Sequence, residues 1–304
     1  MTTRRIEFDV SGDGVVGDLY LPEGLGPYLA VIVGGPMTSV KEQVTGVYAK
    51  ALSQRGIAAL CLDHRHYGES EGEPRQYEYY PHKIEDLKAG LTALAEEPDI
   101  DARRIGVAGI CLGAGYAVWA SIDNPLVRSI GAVVGYYRDV PAIKANDAAG
   151  FQEKVDQGRA ARELFEQTGE VPTVPAAALE GDAAMTLQST YDYYATPRAG
   201  VPNYTNAFAV MSREYFLQFD VQSAAPKVHV PVVMVHSENA LSPNWAKSFY
   251  DNLPGPKDLH WIDGPNQTAF YDAPDLVSEA ADLLAAHFHR TLKLRVQSAS
   301  IVLK

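Results

Sequence analysis

Arg104-Ile105-Gly106-Val107-Ala108-Gly109-Ile110-Cys111-Leu112-Gly113-Ala114-Gly115 is the stretch on which the fold turns. Arg104 to Ile110 is short, apolar and without alternation, as expected of a strand buried on both faces. It runs without a break into a small-residue helix. Gly109-Ile110-Cys111-Leu112-Gly113 spans that junction and has the form Gly-x-nucleophile-x-Gly, in which small flanking residues permit a strained, exposed turn. The helix that follows aims its N-terminal N–H groups at Cys111, which for a thiol favours the thiolate. The competing reading of Cys111 is a buried core cysteine. Cys61, inside another strand run, reads as core.

Outward from this junction the same grammar repeats. Upstream, Leu29 to Val33 and Ile57 to Leu62 are buried-strand runs, separated by a helical pattern from about Val40 with Val44, Val47, Tyr48, Ala51 and Leu52 on one face. Ile84, Leu87, Leu91 and Leu94 mark a second helix. Downstream, Ile130 to Val134 is a fourth buried strand. Val230 to Val235, Trp245 to Leu253, Leu259 to Ile262 and Pro274 to His287 then read as strand, helix, strand and helix. Ile6 to Asp9 and Val15 to Leu21, joined by Ser11-Gly12-Asp13-Gly14, form an N-terminal hairpin. Strand and helix in alternation, with continuous apolar strands, predict an α/β fold with a mostly parallel sheet flanked by helices. Residues 1–135 and 228–290 form that core. Residues 136–227 break the alternation with Val171-Pro172, Val174-Pro175, Thr196-Pro197 and Val201-Pro202, and are too long for a loop. They read as a mostly helical cap, and residues 291–304 as a C-terminal tail.

The chain has 304 residues, with 26 Lys+Arg against 38 Asp+Glu and a net charge of −12. That balance offers no basic footprint for nucleic acid or anionic lipid. Two cysteines make no disulfide framework, and no apolar run reaches the ~18 residues of a membrane helix. A soluble, cytoplasmic protein with a small-molecule substrate is expected, without a nucleic-acid or membrane partner. No phosphate-cradling glycine motif and no metal-ligand spacing stands in the chain, so no cofactor and no metal are expected.

Several motifs in order resemble the α/β-hydrolase superfamily over nearly the whole chain. They are Gly34-Gly35-Pro36-Met37, Val40-Lys41-Glu42-Gln43, Asp63-His64-Arg65-His66-Tyr67-Gly68-Glu69-Ser70, the Cys111 elbow and Val235-His236-Ser237-Glu238. The chain is most similar to the dienelactone-hydrolase-like branch with a cysteine elbow, whose relatives include polyketide acyl transferases. The resemblance implies an oxyanion hole built from the N–H groups of Met37 and Leu112, because Pro36 has no N–H to give. It also implies an acid after the strand ending at Val235 and a histidine after the last strand. Here the acid position reads Ala240, which leaves Glu238 as that loop's carboxylate, and the histidine position reads Gln267.

A glutamine amide neither takes nor gives a proton near neutral pH. Deacylation by water suffers most from its presence, so acyl transfer is favoured over hydrolysis of an ester, lactone or thioester. His236, His64 and His66 are the histidines at strand ends that could stand in, while His229, His287 and His289 read as surface. Aromatics in the cap (Tyr191, Tyr193, Tyr194, Tyr204, Phe216) suit an apolar or aromatic substrate, with Tyr136 and Tyr137 at the end of the fourth strand the ones expected to line it. The alternatives are a cyclase, isomerase or lyase that uses the oxyanion hole without a covalent step, and a ligand-binding protein without catalysis.

Overall fold

Ser11 and Gly12 both adopt positive φ (58° and 96°), which turns the chain tightly enough to pair Thr2–Val10 (β1) antiparallel with Asp13–Leu21 (β2). A computed structural model describes residues 1–293; the tail predicted for 291–304 falls almost wholly outside them. The next strands are Tyr28–Gly34 (β3), Ala58–Leu62 (β4), Ile100–Ile110 (β5) and Val127–Val133 (β6). With Val232–His236 (β9) and Lys257–Trp261 (β10) they form an eight-stranded sheet in the order β1-β2-β4-β3-β5-β6-β9-β10. Every pairing from β4 to β10 is parallel.

Helices cover both faces: Val44–Ser53 (α1), Tyr80–Glu96 (α2), Gly113–Ser121 (α3), Pro243–Asp251 (α8) and Pro274–Thr291 (α10). The central strands β3, β4 and β5 are buried along nearly their whole length, which is why they lack a polar alternation. β3, β4 and β5 all run parallel to one another, so their C-terminal ends share one edge, and the loops leaving that edge build the site.

Between β6 and β9 lie Val140–Asn146 (α4), Ala148–Thr168 (α5), a two-stranded ribbon of Thr173–Val174 (β7) with Phe208–Ala209 (β8), Gln188–Tyr194 (α6) and Ser212–Phe216 (α7). Asp139 and Asp147 cap α4 and α5, accepting from Ala142 N and Gly150 N at 2.9 Å each. Gly169 closes α5 in the left-handed conformation. A four-residue helix, Ala269–Asp272 (α9), precedes α10. Among the described residues no helix is long and apolar enough to cross a membrane.

His287, read from sequence as a surface residue, is buried: its ring bonds the Ser129 hydroxyl at 2.8 Å, between α10 and the sheet. Its position on the inner face of an amphipathic helix overrides its polarity.

Candidate active site

Cys111 sits at φ +55°, a left-handed conformation that a side chain rarely adopts, at the point where β5 passes into α3. The flanking glycines are required by close approach. A Cβ at Gly109 would lie 2.5 Å from Ala114 N, and one at Gly113 would fall on the Gly34 carbonyl. The turn is pinned on both sides, by Cys111 N to Val133 O at 3.1 Å and by Tyr136 N to Cys111 O at 2.9 Å.

The thiol is 7% exposed and opens into a cavity of about 290 Å³ under the segment between β6 and β9. Pro36, Met37, Leu112, Tyr136, Tyr194 and Tyr271 line it around the sulfur, and Arg138, Phe216 and Leu241 lie among the residues forming the rest of the wall. Burial pushes the Cys111 thiol up, and hydrogen bonds to the sulfur from the Tyr271 hydroxyl, the Leu112 N–H and Gln267 offset this only in part. The resting group is therefore a thiol. The thiolate expected from the helix terminus alone is overturned by desolvation, which acts on the whole side chain.

Gln267 is almost fully buried and tied at both ends of its amide. Nε2 donates to Val134 O at 2.7 Å, and Oε1 accepts from Leu241 N at 2.9 Å. Nε2 also lies 3.5 Å from the Tyr271 hydroxyl, and both side chains act against the rise of the Cys111 pKa. Gln267 thus joins the loop after β6, the loop after β9 and the sulfur, with no proton acceptor among these contacts.

Other sequence candidates separate. Met37, Leu112 and Tyr136 line the cavity with Cys111. Glu238 does not reach it: its carboxylate is exposed and pairs with Lys247 at 2.9 Å, because the chain leaves β9 toward solvent there. Tyr137 is buried against Phe249 (ring centroids 4.4 Å apart) and His236 is held by the carbonyls of Ser237 and Gly135, so neither lines the cavity. The other candidate bases are tied up as well. His64 bonds Asp86 at 3.1 Å, and His66 bonds the Pro74 carbonyl and His82. Burial lowers the pKa of His64, His66 and His236 alike.

Three residues were missed in the sequence. Tyr271 carried one usable signal, its spacing of four from Gln267. Glu78 and Lys83 carried none. Glu78 is fully buried behind the elbow and accepts from Thr38 N (2.8 Å), Tyr67 Oη (2.9 Å) and Tyr116 Oη (2.6 Å), with Lys83 Nζ at 2.8 Å. Burial alone would raise its pKa, but Lys83 and these donors hold the carboxyl below its ordinary range. Thr38 follows Met37 and has φ +60°, so this buried carboxylate fixes the loop that carries Met37.

Glu42, Asp63 and Glu69 come close enough together to suggest a cation site. The ammonium of Lys41 already contacts all three, with Asp63 Oδ2 at 3.3 Å and Glu42 Oε1 at 2.8 Å.

The chain is similar to known proteins. Residues 1–140 match the model of a family described as FrsA-like esterases. The uncharacterised protein YcjY of Escherichia coli K12 is 32% identical over 280 residues, 87% of this chain and 89% of that protein. The chain belongs to the same family as YcjY. The thiohydrolase aneE of Aspergillus aculeatus is 40% identical over 131 residues, 42% of this chain and 40% of aneE. The polyketide transferase claH of Penicillium crustosum is 33% identical over 136 residues, 43% of this chain and 44% of claH. The crystal structure of the α/β hydrolase GrgF from a Penicillium species superposes with a TM-score of 0.73 at 23% identity, covering 95% of this chain and all of GrgF. The chain thus has the α/β-hydrolase fold expected from its motifs.

Proposed function

We propose that this protein processes acyl groups through Cys111, acting on an ester, lactone or thioester of an apolar or aromatic small molecule. The single observation that carries the reading is the sulfur at the strained elbow, facing a cavity that Met37 and Leu112 also line. Cys111 Sγ attacks the carbonyl carbon and forms the S–C bond. The oxyanion is held by the N–H groups of Leu112 and Met37. As the intermediate collapses, the bond to the leaving oxygen or sulfur breaks, and the thiol proton goes to that leaving group. Tyr271 and Gln267 donate to the sulfur, so they stabilise negative charge on it and position it without acting as a base. The cysteine is the feature shared with the dienelactone-like branch, and the thiohydrolase and polyketide transferase among the relatives make thioesters the first substrates to try.

Among the described residues, Tyr271, the Leu112 N–H and Gln267, which act on the sulfur, take no proton from water near neutral pH. General-base assistance is typically worth ~10²–10⁴-fold, so the acyl-enzyme is released more readily to an amine, alcohol or thiol than to water. A short S-aryl thioester incubated with the protein is expected to give an acyl adduct by intact mass, mapped to Cys111 and absent from Cys111→Ala. Unmodified protein after full substrate consumption, with turnover intact in Cys111→Ala, sinks the covalent reading.

A second reading is favoured by the raised thiol pKa. A neutral thiol leaves the two oxyanion donors free to polarise a carbonyl in a cyclisation, isomerisation or elimination with no covalent step. That reading is the one the Cys111→Ala outcome above would select.

A further inference from the structure

Arg138 is the one cationic side chain among the described residues lining the Cys111 cavity, and it is 4% exposed. It follows β6 by a few residues, two positions after Tyr136. Nε donates to Phe219 O at 3.2 Å and Nη2 to Leu217 O at 2.9 Å; Tyr136 supplies a further neutral oxygen. Its guanidinium carbon stands 4.6 Å from the Phe216 ring centroid. No carboxylate among the described residues forms an ion pair with it, in contrast to buried Arg65, which is paired with Asp86 at 2.6 Å. A guanidinium carries five donors, and these neutral partners leave some unmatched. Burying a cation without an anion is costly, and burial lowers the pKa of Arg138 accordingly. The Tyr194 hydroxyl, on the same cavity, is buried and has no hydrogen-bond partner among the described residues.

From this unpaired guanidinium on the wall of the nucleophile's cavity, we propose that the acyl group carries a carboxylate at its far end, which Arg138 receives. The substrate class is then the half-ester or half-thioester of a short dicarboxylic acid. A planar fork of donors matches a carboxylate, and a cavity of about 290 Å³ suits a short chain between the two ends. The surface is acidic overall, so the cation that selects the anion is placed inside, where water does not screen it. This assignment rests on the acyl-processing reading for the position of the carbonyl, and not for the carboxylate site itself.

The test separates the two. Binding of N-phenylglutaramate, a non-reacting analogue with a free carboxylate, is measured by calorimetry on the Cys111→Ala chain against N-phenylpentanamide. Saturable binding of the anion is expected, weaker by at least about 30-fold when Arg138→Gln is added and partly restored by Arg138→Lys. In the Cys111 protein, the ratio of acylation rates for S-phenyl hydrogen thioglutarate over S-phenyl thiopentanoate is expected to fall by a similar factor in Arg138→Gln. Because Arg138 also holds the carbonyls of Leu217 and Phe219, thermal unfolding of each variant is recorded, and the Lys variant keeps the charge if the Gln variant does not fold. Equal binding of anion and amide, or losses in Arg138→Gln that are the same for both, overturns the proposal and leaves acylation of Cys111 standing. Glutaramate binding through Arg138 with no acylation of Cys111 by either thioester upholds the carboxylate site and overturns the covalent reading.

Discussion

The cavity in front of Cys111 and the buried cluster behind it are built by opposite rules. In front, the Tyr271 hydroxyl, the Leu112 N–H and Gln267 each favour negative charge on the sulfur. Behind, the Glu78 carboxylate and the Lys83 ammonium are both enclosed, 2.8 Å apart, with the hydroxyls of Tyr67 and Tyr116 on the same carboxylate. Ionised groups thus hold the loop that carries Met37 from behind, through Thr38 N. A protein arranged this way is organised to stabilise negative charge arising on a substrate, and poorly organised to activate water.

The largest effect should come from breaking the rear cluster. Glu78→Ala leaves Lys83 buried and unpaired, and is expected to destabilise the chain by about 3–5 kcal/mol in denaturant titrations. Adding Lys83→Met should recover a large part of that loss; no recovery would mean that the ion pair is not what the loop depends on. The same cluster sets an acid limit. The Glu78 carboxyl is held below its ordinary 4.5, so its contribution is fully present above that pH and lost as pH falls through the lower native value. His66 and His287, both lowered to about 4 by burial, cost stability earlier, between their ordinary 6.5 and 4. Thermal unfolding followed from pH 7 to 3 should show the loss below 4.5 much reduced in Glu78→Gln.

At the front, alkylation of Cys111 by iodoacetamide should rise ~10-fold per pH unit from 6 to 8 and reach no plateau before about pH 9. A plateau near pH 7 would mean that the donors around the sulfur outweigh its burial. Gln267→His is expected to raise thioester hydrolysis by about 10-fold or more, short of the full ~10²–10⁴ of an optimised base because no carboxylate touches that position. Unchanged hydrolysis, measured as thiol release per adduct, would show that position 267 is not where water is activated. The smallest effect belongs to Glu238→Gln. Its carboxylate is exposed and bonded to Lys247, so stability should change by less than about 0.5 kcal/mol and acylation by less than ~2-fold.

Much of this was legible before any coordinates. The apolar runs placed the central strands because a strand covered on both faces has no solvent side to mark with polar residues. Gly109-Ile110-Cys111-Leu112-Gly113 announced its turn because no other residues fit where a Cβ would strike the Gly34 carbonyl. Other expectations failed for reasons of the same kind. Glu238 has the right chemistry in the right loop, but the direction in which the chain leaves β9 sends it to solvent. The helix start at Cys111 suggested a thiolate, and enclosure under the segment between β6 and β9 reversed it.

The sequence by itself determined the order of the core strands and helices and the elbow with its cysteine, because these depend on periodicity and residue size, while Gln267 was marked only by the resemblance to a family that expects a histidine there. Only the tertiary structure decided that Tyr271 lines the cavity with Cys111, that Glu78 and Lys83 support the loop carrying Met37, and that Arg138 stands in the cavity wall with no ion pair among the described residues. Those facts depend on burial and on the distance between residues far apart in the chain, and desolvation and ion pairing are properties of a place in the fold that no residue carries alone.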